Sequence, residues 1–294
     1  MKPLIHIRDP EEATGFYDKC IGNSPNGLIY ALSWYQNIVC PDWEILCTED
    51  HSTVMPLPVS RSLGRKILRQ PEFSWQLGVF STRVPSPELI QHFLRSIPEG
   101  YRLRKLCLSK FNILPSARTR FQNSTELDLI RPYNKIRSTF GPFMQKRLAI
   151  ADDHSISFVK NVSINDWLMF AYRLDRFNRH RLKPREISLL RLIVSNAIRF
   201  RSGQVGAAYD SRNNLCATVM FLEFKGRASI LHAAASNEGL ASGGIEYIID
   251  RYIAANAEEN LVLCVDNPSD GKLMEILKNC GSGISTFPCI KSLT

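Results

Sequence analysis

Apolar and polar positions change period along the second half of the chain, and each change marks an element. Between residues 184 and 198, Ile187, Leu190, Val194, Ala197 and Ile198 fall on one side of a 3.6-residue period. Pro184 sits where a first helical turn tolerates proline, so the segment predicts a helix. Three strand-like runs follow at 204–209, 215–224 and 228–234, split by the turn sequences SRNN and KGR. They predict a three-stranded antiparallel meander. A turn rich in Gly, Ser and Asn leads into a second amphipathic pattern, with Ile245, Ile248, Ile249, Tyr252 and Ile253 on one helical face. A buried strand at 261–265, a breaker at 266–270, a short helix at 271–278 and a last strand at 284–290 complete the half. The order is α-β-β-β-α-β-α-β. The strands flanking the glycine-rich helix are expected to be parallel, because a helical crossover joins them.

The first half repeats the theme. A helix is predicted at 29–39 and strands at 43–48, 53–59 and 74–81. A helix at 87–95 carries Leu89, Ile90, Phe93 and Leu94, and a strand follows at 102–109. This is α-β-β-β-α-β again, without residue identity between the halves, and it predicts a structural duplication. The fold class expected is α/β with mixed α+β sheets, in two tandem domains at 1–130 and 131–294, linked near 128–151.

Composition narrows the class. A chain of 294 residues with 44% hydrophobic and 22% charged residues is long enough for substantial cores and typical of globular proteins. No apolar run reaches membrane-span length, and MKPLIHIRDPEEA carries charge where a signal peptide needs an apolar stretch, so the expected location is the cytoplasm. The eight cysteines form no CxxC pair and have no histidine at zinc spacing. Reduced structural thiols and no metal are expected. The net charge of +9 is unevenly spread: residues 171–203 hold nine basic side chains, among them Arg179, Arg181 and Arg185, against Asp175 and Glu186. Such a window attracts a polyanion such as tRNA, or is a solvated helix face.

Chemistry concentrates at the glycine-rich turn. Gly239, Gly243 and Gly244 crowd a helix entrance, where unpaired N–H groups and the helix dipole favour an anion. The other reading is a tight turn that lets a helix pack closely on a sheet.

Three segments carry a family resemblance. Residues 132–158, PYNKIRSTFGPFMQKRLAIADDHSISF, have a tyrosine-led helix, the basic pair Lys146 and Arg147, and Ala149 or Ala151 before a strand. SNEGLA at 236–241 has the spacing Q/R-x-x-G-x-G/A, with Ser236 in the place of Gln or Arg. LCVDNPSDGKLMEILKNCGS at 263–282 runs from strand through acidic turn to helix. Together they resemble tandem GNAT-type acyltransferases, in the arrangement of the FemABX aminoacyltransferases. The resemblance implies an acyl-CoA or aminoacyl-tRNA donor and an amine acceptor on a small molecule or cell-envelope precursor. It places the carrier's phosphates on Asn237, Gly239, Ala241, Ser242, Gly243 and Gly244.

GNAT enzymes often use a strand glutamate as base and a later tyrosine as acid. Glu223 and His232 are the candidate catalytic groups here, and no tyrosine follows Tyr252. If the first half shares the fold, Tyr30, Trp34, Tyr35 and Gln76 collect on its cleft and bind the acceptor. The alternatives are a degenerate GNAT-like module that binds a nucleotide or polyanion, and an RNA-binding protein.

Overall fold

The computed structural model describes residues 3–62, 64–114, 119–160, 162–178 and 181–291. Arg179, part of the basic window, lies outside the described residues. The chain divides into two compact units, residues 1–123 with 285–294, and residues 124–284.

The first unit holds β1 (Ile5–Ile7), α1 (Thr14–Asn23), α2 (Ser33–Val39), β2 (Glu44–Cys47), β3 (Thr53–Leu57), β4 (Val59–Ser62), β5 (Arg65–Arg69), β6 (Phe80–Ser81), α3 (Pro87–Arg95) and β7 (Arg102–Cys107). Strands β1, β2, β3 and β6 form an antiparallel sheet in that order. The β4–β5 hairpin continues through a parallel pairing of β5 with β7. Helix α3 carries the chain over to β7, and a parallel bridge joins Leu77 to Leu108. Ser86 caps α3 through the N–H of Leu89, and Pro87 occupies its first turn.

A buried carboxylate ties four segments of this unit. Glu44 on β2 accepts from Lys66 on β5 at 2.6 Å and from Tyr101 at 2.6 Å, and His6 on β1 lies 2.6 Å away. Burial opposes its charge, and the bonds from Lys66, Tyr101 and His6 outweigh burial, so the carboxyl titrates below its ordinary value.

The second unit runs β8 (Arg120–Asp128), α4 (Tyr133–Arg137), α5 (Pro142–Asp153), β9 (Ser157–Lys160), α6 (Ile164–Arg173), α7 (Pro184–Arg199), β10 (Gly203–Tyr209), β11 (Leu215–Phe224), β12 (Arg227–Ala235), α8 (Asn237–Ser242), α9 (Gly244–Ala255), β13 (Val262–Val265) and α10 (Gly271–Asn279). Its sheet order is β8-β13-β12-β11-β10-β9, and only β12 with β13 is parallel. The predicted meander and the parallel crossover are both present. Helix α9 lays Ile245, Ile248, Ile249, Tyr252 and Ile253 on one face of the meander, all buried. Each such side chain contributes about 2 kcal/mol. The Tyr252 ring stacks on Phe221 of β11 at 3.9 Å. Helices α6 and α7 cover the other face. A side chain at Gly203 would meet Ala197 of α7, whereas one at Gly206, an odd number of positions on, would meet Ile248 of α9.

The last strand, β14 (Gly283–Ile290), pairs antiparallel with β7, Cys289 opposite Cys107. These two cysteines form a disulfide, which corrects the expectation that every thiol is reduced. They are 182 positions apart, so no local spacing could announce the bond. The other six are buried and form no disulfide. Two further expectations change. The strand expected over 74–81 is confined to β6, and the helix expected over 29–39 is a short 3-10 turn followed by α2.

Candidate functional site

The parallel pair β12–β13 does not stay together. It is in register for three pairs, Arg227 with Val262, Ala228 with Leu263 and Ser229 with Cys264. Strand β13 then stops near Asp266–Asn267–Pro268, where proline offers no donor for a ladder. Strand β12 continues to Ala235, leaving its edge open toward β13 beyond Ser229. A crevice outside the carboxyl ends of parallel strands is where α/β sheets bind ligands.

That edge has an occupant from the same unit, the turn after α6. Arg176 donates its N–H to the Ala235 carbonyl at 2.6 Å, and Ala235 donates to Asp175 Oδ1 at 3.2 Å. Asn178 Nδ2 donates to the Ala233 carbonyl at 2.8 Å. Asp175 also accepts from the N–H of Phe177 and from Asn178, so its carboxylate fixes the turn that lies on β12.

At the fork of the two strands sits a buried polar network. Arg227 donates to Asp266 at 2.6 Å and to Glu126 of β8 at 2.9 Å. Ser229 Oγ donates to the other oxygen of Asp266 at 2.8 Å, and the Cys264 thiol lies 3.1 Å from Ser229 Oγ. Burial works against the guanidinium's charge, yet Asp266 and Glu126 keep it firmly protonated. Burial pushes the Cys264 thiol up, so it is not a ready nucleophile. The sequence reading missed this group. Arg227 reads as a turn residue and Asp266 as a breaker, and their partners lie 39 and 101 positions away.

His232 stands in the open stretch of β12 and points to the α6 side, edge-on to Trp167 at 6.0 Å. It is 9% exposed, and its Nδ1 has no hydrogen-bond partner. Burial lowers its pKa against the pull of Asp175 and Glu186, so the imidazole is neutral at pH 7. Glu223 is placed differently. Its carboxylate accepts from Tyr252 Oη at 2.7 Å. Burial first, and then that carboxylate, push the Tyr252 hydroxyl up.

The glycine-rich segment folds as two helices joined at Gly243. Ser236 caps α8 through the N–H of Gly239, while its hydroxyl donates to Glu238. A Cβ on Gly239 would lie 1.9 Å from the Cys216 carbonyl, so α8 can meet β11 only with glycine there. Gly243 has φ +76°, a left-handed conformation, and faces the Arg147 carbonyl on α5. A Cβ on Gly244 would come within 2.8 Å of Ala217. Ser242 is buried beside the Cys216 thiol, Asn237 and Ala241 are exposed, and Arg147 donates to the carbonyls of Leu240 and Ala241. Close neighbours thus surround all three glycines, main chain at Gly239 and Gly243 and the Ala217 side chain at Gly244.

In the first unit, Tyr30, Trp34 and Tyr35 form one aromatic group, with Tyr35 5.6 Å from Tyr30 and 5.3 Å from Trp34. Tyr30 and Tyr35 are buried, and Tyr35 donates to the Phe73 carbonyl at 2.5 Å. Gln76 is buried elsewhere and accepts from the N–H of Lys110. A cavity of about 870 Å³ in this unit is lined instead by Thr48, Asp50, Ser52, Ser81, Arg83 and His92, among others.

Known structures share this topology. FemX superposes with a TM-score of 0.64 at 10% identity, over 98% of this chain and 97% of its own. The chain has a tandem GNAT fold of the FemABX type. A tandem GNAT protein from the clavulanic acid biosynthesis pathway matches with a TM-score of 0.51 at 10% identity, over 98% of both chains. The C-terminal domain of a putative lysylphosphatidylglycerol synthetase from Agrobacterium fabrum gives 0.55 at 10% identity, over 97% of this chain and 93% of that one. No protein-family model matches the sequence, and no curated protein does. The tandem GNAT fold therefore rests on tertiary structure.

Proposed function

We propose that this GNAT-fold chain is an acyl- or aminoacyltransferase that moves an acyl group from an activated carrier, acyl-CoA or aminoacyl-tRNA, to an amine. The parting of β12 from β13 carries the reading. An extended carrier would fit the slot where the two strands part once the Asp175–Asn178 turn gives way, and its phosphates would meet the turn at 236–244. Ala233 turns its carbonyl to the open side, as its bond from Asn178 shows, so its N–H faces the same way. That fixed amide is suited to the developing oxyanion. His232, neutral and with Nδ1 unbonded, is the better base for the attacking amine. Glu223 already holds the Tyr252 hydroxyl. The acceptor would be an amine on a small molecule or envelope precursor.

One observation favours a second reading. The turn Asp175–Asn178 covers the β12 edge where the carrier would lie. A module with that edge permanently closed binds a partner without catalysing transfer. Thermal-shift titration with acetyl-CoA, longer acyl-CoAs and aminoacyl-tRNA separates the two. A donor at about a hundredfold excess over its Kd stabilises the folded state by about 2.7 kcal/mol. No shift with any donor at millimolar concentration, tRNA at its solubility limit, sinks the transferase reading.

A further inference from the structure

Helices α6 and α7 lie side by side on the same face of the second unit's sheet, and their outer surface and flanks combine two properties. The first is charge. Residues 164–201 carry only three acids, and each is engaged: Asp166 accepts from Ser163, Asp175 holds its own turn, and Glu186 accepts from the N–H of Lys183. Arg173, Arg181, Arg191, Arg199 and Arg201 are exposed. The second is exposed apolar bulk. Met169, Tyr172, Leu174, Leu192 and Phe200 are each between 42% and 52% exposed. On α7 the buried side chains Leu189, Leu190, Ile193, Val194 and Ala197 form the sheet-facing stripe, so Leu192 faces outward with Arg185, Ser188 and Arg199.

We propose that this α6–α7 face docks on the surface of an anionic lipid bilayer. Arginines alone would serve a nucleic acid equally well. The aliphatic side chains decide between the two. Tyr172 and Phe200 could stack on bases, but Met169, Leu174 and Leu192 offer nothing to phosphates or bases and would stay in water on a nucleic acid. At the boundary of headgroups and acyl chains they are buried, while the arginines around them meet anionic headgroups. Among the described residues no helix is long and apolar enough to cross a membrane, so the contact is peripheral.

Co-sedimentation of the full chain with vesicles tests this. One vesicle is phosphatidylcholine alone, and the other contains about 30% phosphatidylglycerol, an anionic surface. The expected result is at least about tenfold stronger binding to the anionic vesicle, weakening as salt rises. Leu192→Glu on α7 and Met169→Glu on α6 are each expected to weaken it about tenfold without lowering Tm, since both side chains are already half in water. Arg191→Ser with Arg199→Ser is expected to do the same and to flatten the salt dependence. Equal binding to both vesicles, or none, overturns the proposal. So does binding that the Leu192 and Met169 variants leave unchanged. RNA binding that depends on Arg191 and Arg199 but not on Leu192, with no vesicle binding, overturns it in favour of a nucleic-acid face.

Discussion

At the scale of single residues, the glycines and one histidine make the firmest predictions. Gly239 is held against the Cys216 carbonyl and Gly243 in a left-handed conformation. Gly239→Ala is therefore expected to destabilise the protein by roughly 3 kcal/mol, because main chain cannot yield as a flexible side chain does. Gly243→Ala is expected to cost about 1–2 kcal/mol through backbone strain. Denaturant titration of both variants measures this, and unchanged midpoints would remove the packing account of the turn. His232 predicts a pH dependence. Unfolded, it titrates near about 6.5, whereas burial lowers its folded value. Its contribution to stability is thus complete above about pH 6.5 and declines as pH falls below that. In His232→Asn the decline of Tm between about pH 7 and 5 should be shallower than in the wild type. If His232 is also the base, the same variant should lower kcat about a hundredfold once a donor and acceptor are known. A variant with wild-type kcat leaves the histidine as a wall residue.

At the scale of elements, legibility followed periodicity. Helices α3, α7, α9 and α10 and strands β10 to β13 were readable because their apolar faces repeat at 3.6 or 2 residues over enough positions. Helix α1 was not, since Gly15 and Gly22 interrupt a short pattern in which Tyr17, Cys20 and Ile21 are buried. The β4–β5 hairpin hid for another reason. It is mostly exposed and carries Arg61, Arg65, Lys66 and Arg69, so no alternation marks it. The turn after α6 is the element whose role can be tested most directly. Asp175→Ala and Asn178→Ala each remove bonds between that turn and β12, at an expected cost of about 1–3 kcal/mol. If the β12 edge is the donor slot, both variants should bind donor more tightly, because an internal competitor is gone. Donor affinity unchanged in both places the donor elsewhere.

For the whole molecule, each of the two units has an antiparallel sheet and a helical crossover to a parallel partner, although the first unit inserts the β4–β5 hairpin between β3 and β6, where three consecutive strands were expected. The first unit is not continuous in sequence, because it takes in residues 285–294. The Cys107–Cys289 disulfide fastens that return. Closing a loop of 182 positions is worth up to about 5 kcal/mol in the chain-entropy account. Reductant, or Cys107→Ala with Cys289→Ala, is therefore expected to lower Tm by several degrees, read by calorimetry. No change under reduction would show that strand pairing alone holds the C-terminal segment.

The sequence by itself determined the α/β class, the meander, the buried face of α9 and the parallel crossover into β13, because these follow from local periodicity and chain connectivity. What the chemistry-bearing residues touch came only with the tertiary fold. The glycines at 239, 243 and 244 read as an anion cradle or as packing, and the fold adds the close neighbours Cys216, Arg147 and Ala217. Arg227, Asp266 and Glu126 became one network, and Glu223 was engaged by Tyr252, through contacts 29 to 101 positions apart. Apolar periodicity reports which face of an element is buried. It is silent on which distant polar group that face will meet, and the site is made of those meetings.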